Sequence, residues 1–192
     1  WAAELKWDGI RGQVILRGGE IYVWSRGEEL VTDKFPEYEA LKTVVPPGTV
    51  IDGEILAFKD GEPLPFNLLK TRIGRKSVGK KTLEKAPVCL MAYDLLEYNG
   101  EDIRQRPYQT RRILLEELVG KANHPVLQLS DSLYGESWQE LREIREDARR
   151  LKSEGLMLKR IDSTYKVGRK RGEWWKWKVD PLVIDAVMIY AM

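Results

Sequence analysis

Strict alternation of apolar and polar residues on both sides of a Gly-Gly pair constrains this chain more than any other feature. In QVILRGGEIYVWSR, residues 13–26, two alternating runs flank Gly18-Gly19. Strand side chains point to opposite faces with a period of two, and tight two-residue turns favour glycine, so the stretch predicts a β-hairpin. AAELKWD ahead of it alternates as well, PPGTVIDGEILAF predicts a strand after a Pro-Gly turn, and Asp60-Gly61 marks the next turn. PVCLMAYDLL is a mostly apolar run of strand length, which predicts a central, covered strand. LMLKR, EWWKWKV and LVIDAVMIY read as three late strands. Helical patterns fall at about 33–43, 66–74, 107–119 (from Pro107) and 136–152, the last opening at Ser137 with Glu140 three residues on, as in a capping box. Hairpins mix with helices and strands outnumber them, so the expected class is α+β with antiparallel sheets.

Composition removes several alternatives. Hydrophobic residues make up 43% and charged residues 32% of 192, enough for a real core beneath a heavily charged surface and against disorder. No apolar run approaches the roughly 18 residues of a membrane span, and WAAELKWDGIRG has no signal-peptide pattern. One cysteine, Cys89, and one histidine, His124, exclude a disulfide framework and a Cys/His zinc site within the chain. Cys89 is expected as a small buried hydrophobe and His124, in HPV, as a loop residue; a reducing, cytoplasmic setting follows. Net charge is +2, but KTRIGRKSVGKK at 70–81 carries six basic groups and no acid, and 159–178 carries eight against Asp162 and Glu173. Such blocks can draw a polyanion, or simply form a solvated face.

The chemistry collects in short strings. Alternation in ELKWDGIRG puts Glu4, Lys6 and Asp8 on one strand face, where Lys6 is a candidate nucleophile and Gly9 allows a sharp turn. Arg11 and the late lysines are candidate neighbours. Asp52-Gly53-Glu54 places two carboxylates on one face, suited to a ribose hydroxyl or a hard cation. Met91-Ala92-Tyr93-Asp94 offers an aromatic plate at a strand edge, and Glu154-Gly155 another carboxylate. In EWWKWK, Lys176 and Lys178 share one face, as paired point charges for phosphate, with Trp175 and Trp177 as a buried wall on the other.

Taken in order, these strings resemble the covalent nucleotidyltransferases: ATP-dependent DNA ligases, RNA ligases and mRNA capping enzymes. Lys6-Trp7-Asp8-Gly9-Ile10-Arg11 fits the nucleophile motif KxDGxR. Ser25-Arg26-Gly27, Asp52-Gly53-Glu54, Tyr93-Asp94-Leu95-Leu96, Glu154-Gly155-Leu156-Met157-Leu158-Lys159 and Trp175-Lys176-Trp177-Lys178 follow in the family's sequence. YDLL with Asn99-Gly100, and EGLMLK, resemble ATP-dependent DNA ligase most, and the tail KVDPLVIDAVMIYAM resembles its bacterial members.

The resemblance implies an α+β, ATP-grasp-like adenylation domain over 1–192, with antiparallel sheets flanked by helices and a nucleotide pocket between them. It implies ATP and Mg²⁺ as cofactors, nicked double-stranded DNA as partner, no membrane, a monomer, and the bacterial cytoplasm or nucleoid as the setting. It implies Lys6 as the group that attacks the α-phosphate to form lysyl-AMP, and Glu4 as the contact to the adenine amino group. Tyr93 would stack on adenine and Met157 pack its other face; Arg11 and Glu54 would contact ribose, and Arg26 a phosphate. Lys176 and Lys178 would bind phosphate, and Glu154 with Glu54 would hold the metal. Ligases of this type continue into an oligonucleotide-binding-fold domain and many carry an N-terminal DNA-binding domain; both are expected to lie outside this chain, which would then seal nicks poorly alone. An RNA ligase, a capping-type enzyme and a non-catalytic nucleotide- or DNA-binding module stay open at this point.

Overall fold

The computed structural model describes residues 1–75, 77–168 and 170–180, so the expected strand LVIDAVMIY lies outside the described residues. Two sheets carry the fold. The smaller has β1 (Ala2–Trp7), β9 (Ser132–Leu133), β10 (Ser153–Lys159) and β11 (Trp174–Lys178) in the order β11-β10-β1-β9, all antiparallel. The larger follows the path β3-β2-β4-β6-β7 through β2 (Ile10–Arg17), β3 (Glu20–Ser25), β4 (Thr49–Lys59), β6 (Val88–Tyr98) and β7 (Glu101–Asp102). Two short strands join it, β5 (Glu62–Pro63) on β4 and β8 (Leu127–Leu129), parallel, on β6. The chain starts in the small sheet, builds the large one and returns, so both sheets abut where β1 passes into β2.

Local sequence explains these elements. The β2–β3 hairpin turns on Gly18 and Gly19 at φ of 61° and 80°, the two left-handed positions such a turn requires. Val14, Leu16, Ile21, Val23, Ile51, Ile55, Leu90, Ala92 and Leu95 form the covered face of the large sheet. Leu69 of α1 (Phe66–Ile73) and Leu115 and Leu118 of α3 (Tyr108–Ala122) close over it. Each fully buried aliphatic side chain there contributes about 1.5–3 kcal/mol. The small sheet turns Leu5, Leu156 and Trp177 toward Leu141 and Ile144 of α4 (Trp138–Asp147). Ser137 caps α4 as expected, accepting from the Glu140 amide at 3.2 Å, while the Glu140 carboxylate reaches one residue further back than a capping box requires, to the Glu136 amide.

Some expectations are corrected. Residues 33–43 form 3-10 turns, Thr32–Lys34 and Pro36–Thr43, rather than an α-helix. Phe35, Tyr38 and Leu41 are the buried positions, and their three-residue spacing is the period of a 3-10 helix. A polar helix, α2 (Lys80–Lys85), was not expected, because Thr82 is its buried residue and no apolar period marks it. Arg72 of the basic block is fully buried, paired with Glu37 and donating to the carbonyls of Lys34 and Ala86, so that block is only partly a free cationic surface. Cys89 is buried, its thiol pushed up to about 12 by burial, and His124 lies in a loop with its Nδ1 accepting from the Val126 amide. Among the described residues no helix is long and apolar enough to cross a membrane.

Candidate active site

The candidate site residues are divided between the two sheets. Cross-strand pairing puts Glu4, Met157 and Lys176 side by side on the small sheet, with Lys178 opposite Gly155. Gly155 sits at φ 128°, and a β-carbon there would meet the Trp177 carbonyl at 2.3 Å, so only glycine lets β10 and β11 close beside Glu154. Lys6 ion-pairs with Glu154, and Lys178 reaches the same carboxylate oxygen at 3.0 Å. Burial alone would raise Glu154, but the hydrogen bonds from Lys6 and Lys178 override it and hold the carboxyl below its usual range. Asp8, just past the end of β1 and exposed, is not in the strand with Glu4 and Lys6 as expected; it still shares their field, raised first by burial and then by Glu154. Gly9 serves packing rather than a left-handed turn, since a β-carbon there would lie 2.4 Å from the Ile55 carbonyl.

The large sheet supplies the facing wall. Arg11 forks onto Asp52 with contacts of 3.0 and 2.6 Å, and both it and Lys6 act on Glu54. Asp52 is wholly buried and also accepts from Tyr93 at 3.3 Å and Tyr165 at 2.7 Å, which makes it an anchor for the pocket rather than an open ligand. Tyr93 is not at a strand edge. It occupies the interior of β6, where the register shifts between Asp52 and Gly53, and it remains half-buried. Burial pushes its hydroxyl well above the ordinary value, so it stays a neutral donor. Behind it, Asp94 and Arg111 form a fully buried pair with two 2.8 Å contacts.

Glu54, on β4, is strongly perturbed. Burial first, then repulsion from Asp52 and Glu154 against attraction to Lys6 and Arg11, pushes it from 4.5 up to about 7. The folded chain therefore holds a proton that the unfolded chain releases, and this group's contribution to stability falls as pH rises from 4.5 through 7. Above pH 7 the ionised form costs about 3 kcal/mol. Glu54→Gln is expected to raise stability in urea unfolding by about 2–3 kcal/mol at pH 8 and to change little near pH 4.5; equal midpoints at pH 8 would contradict this.

Glu4 is 1% exposed, accepting from the Tyr108 hydroxyl and, at 2.8 Å, from Lys159. Arg26 is exposed in the turn after β3 and lines an open cleft of about 860 Å³ with Arg11, Arg17, Arg104 and Lys166. The structure thus gathers Glu4, Lys6, Glu154, Met157, Lys176 and Lys178 on the small sheet and Arg11, Glu54 and Tyr93 on the large one, with Arg26 out on the cleft. Trp177 packs at the back, as expected, but Trp175 is 53% exposed and the wall there is incomplete. Tyr108, Arg111 and Tyr165 carry no sequence expectation, and Lys159 closes the EGLMLK string without a role assigned to it. Lys159 was findable, two residues beyond Met157 on the same alternating strand; nothing local marks Tyr165. Among the described residues no group of three or more His, Cys, Asp or Glu is placed to hold a metal.

Residues 1–178 match the family described as ATP dependent DNA ligase domain. The chain is 34% identical to the DNA ligase of Archaeoglobus fulgidus over 189 residues, 98% of this chain and 34% of that protein. It is 35% identical to that of Thermococcus fumicolans over 193 residues, 99% of this chain and 34% of that protein. The chain therefore spans about a third of the length of these curated relatives. The solved structure of mycobacterial DNA ligase D complexed with ATP and MES aligns with a TM-score of 0.69 at 29% identity, over 91% of this chain and 52% of that one. The ATP-dependent DNA ligase from bacteriophage T7 in complex with ATP shares the fold, with a TM-score of 0.68 at 20% identity over 92% of this chain and 61% of that one.

Proposed function

The chain belongs to the ATP-dependent DNA ligase domain family, and on that premise we propose that it is the nucleotidyl-transfer unit of such a ligase, with Lys6 as its nucleophile. The observation that carries this reading is the pairing of Lys6 with the carboxylate of Glu154, which Lys178 also holds. Lys6 Nζ, having released a proton, attacks the α-phosphorus of ATP. A P–N bond forms as the bond to the bridging oxygen breaks, and pyrophosphate leaves. The 5′-phosphate of a nicked strand then displaces Lys6 and takes the AMP, and the 3′-hydroxyl displaces AMP to close the phosphodiester.

Each residue acts by position and charge. In-line displacement needs alignment and neutralised oxygens more than a proton shuttle, which suits a site without histidine. Glu4 accepts from the adenine amino group, Tyr93 stacks on the ring and Met157 packs its other face. Arg11, fixed in place by Asp52, and Glu54 address the ribose. Lys176 and Lys178 hold phosphate as point charges, and Arg26 meets phosphate in the cleft. Mg²⁺ usually binds one or two carboxylates plus substrate phosphates and water, and Glu154 and Glu54, close enough for each to act on the other, would supply them. Bound there, it would offset charge on the triphosphate.

We place 1–192 as one adenylation unit, acting as a monomer in the cytoplasm, with an oligonucleotide-binding fold and a DNA-binding domain supplied from outside it. A bacterial source belongs to the proposal as well. ATP titration tests the pocket: Tyr93→Ala is expected to weaken binding about tenfold or more, the worth of one stacked base. Unchanged affinity in a folded variant would remove the adenine assignment.

A further inference from the structure

Lys159 is 1% exposed, at the end of β10. Burying an ammonium is costly unless it is paired and hydrogen-bonded. Here it donates to Glu4 Oε1 at 2.8 Å and to the Tyr93 carbonyl at 3.2 Å. Three rings surround it, with centroids at 4.9 Å for Tyr93, 4.8 Å for Tyr108 and 4.6 Å for Trp174. The Tyr108 hydroxyl donates to the same Glu4 oxygen, and Arg112 Nη1 lies 3.9 Å from it. One cation therefore ties the Glu4 carboxylate to the backbone of the proposed base-stacking residue.

We infer that Lys159 is a positioning residue that makes the pocket select a 6-amino purine over a 6-oxo purine, by placing a cation on Glu4 Oε1 and leaving Oε2 to accept from the base. The inference rests on the proposed nucleotide site. An ionised carboxylate only accepts, whereas a protonated one can also donate. Adenine offers a donor at its 6-position and hypoxanthine an acceptor, so the anion pairs with the first and opposes the second. Both described donors meet on Oε1, which leaves Oε2 for the base in the proposed pose. Lys159 supplies the counter-charge to this buried carboxylate.

The test is calorimetric titration of the whole chain with ATP and with ITP, for the native protein and for Lys159→Met, Lys159→Gln and Lys159→Arg, each checked for cooperative thermal unfolding. The native chain is expected to prefer ATP by about 10- to 100-fold, the worth of a hydrogen bond to a charged group. Lys159→Arg keeps the preference, while Lys159→Met and Lys159→Gln reduce it to about threefold or less, because the pairing no longer separates the two bases. A merely structural lysine would weaken both nucleotides alike and leave their ratio unchanged. That unchanged ratio, in either folded neutral variant, would overturn the inference while leaving the nucleotide site standing. A native chain that binds neither nucleotide would overturn the site and the inference together. Lys159→Gln retains a donor to Glu4, so it carries the test if Lys159→Met does not fold.

Discussion

Lys6→Ala is expected to leave a folded chain that carries no AMP. Loss of the proposed attacking nitrogen removes the atom assigned to the P–N bond, so labelling from ATP carrying a radioactive α-phosphate should fall by at least about 10³-fold. The fold should barely register the change. The Lys6–Glu154 pair is partly exposed, and Lys178 stays on Glu154 as a second cation, so the stability cost is expected to stay near 1 kcal/mol or below. A folded alanine variant that labels like the native chain would move the chemistry to another residue.

Arg111→Met should have the largest effect on stability. It strips Asp94, which is fully buried, of a bidentate partner and frees the Arg106 and Ser163 carbonyls that Arg111 also satisfies. Breaking one side of a buried pair typically costs about 3–5 kcal/mol, because the remaining charge has neither water nor partner. Burial already raises Asp94 against the pull of Arg111, so the deficit should shrink toward acid pH as Asp94 takes a proton. The double variant Asp94→Asn, Arg111→Met should recover part of the loss. Urea unfolding of all three chains at pH 5 and pH 8 measures this; a loss under about 1 kcal/mol at pH 8 would show the pair is not what holds α3 to the sheet.

The long strands and the Lys6 strand motif were legible because a half-buried strand writes its face into every second residue, whereas the two- and three-residue strands β5, β7, β8 and β9 are too short to show a period. The hairpin at Gly18-Gly19 and the Ser137–Glu140 cap are local chemistry, visible without knowing the fold. What escaped the sequence depends on distant partners. Arg72 reads as one more cation in a basic run, yet Glu37 and two backbone carbonyls draw it inside. Asp52 reads as a ligand beside Glu54, yet Arg11, Tyr93 and Tyr165 take its oxygens. Tyr93 reads as an edge residue because the bulge opposite Asp52 exists only once β4 and β6 have paired. The 3-10 turns show the same limit: the three-residue spacing of Phe35, Tyr38 and Leu41 is plain afterwards, but a helical run and a 3-10 run look alike over so short a stretch.

Intact mass of the native chain after incubation with ATP and Mg²⁺, followed by excess pyrophosphate, tests the central claim most directly. The account predicts a gain of one AMP that pyrophosphate reverses, because attack by Lys6 on the α-phosphate runs backwards through the same P–N bond. A chain that binds ATP, gains no mass even with the remainder of the ligase added in trans, and stays unmodified would contradict Lys6 as a nucleotidyl-transfer nucleophile.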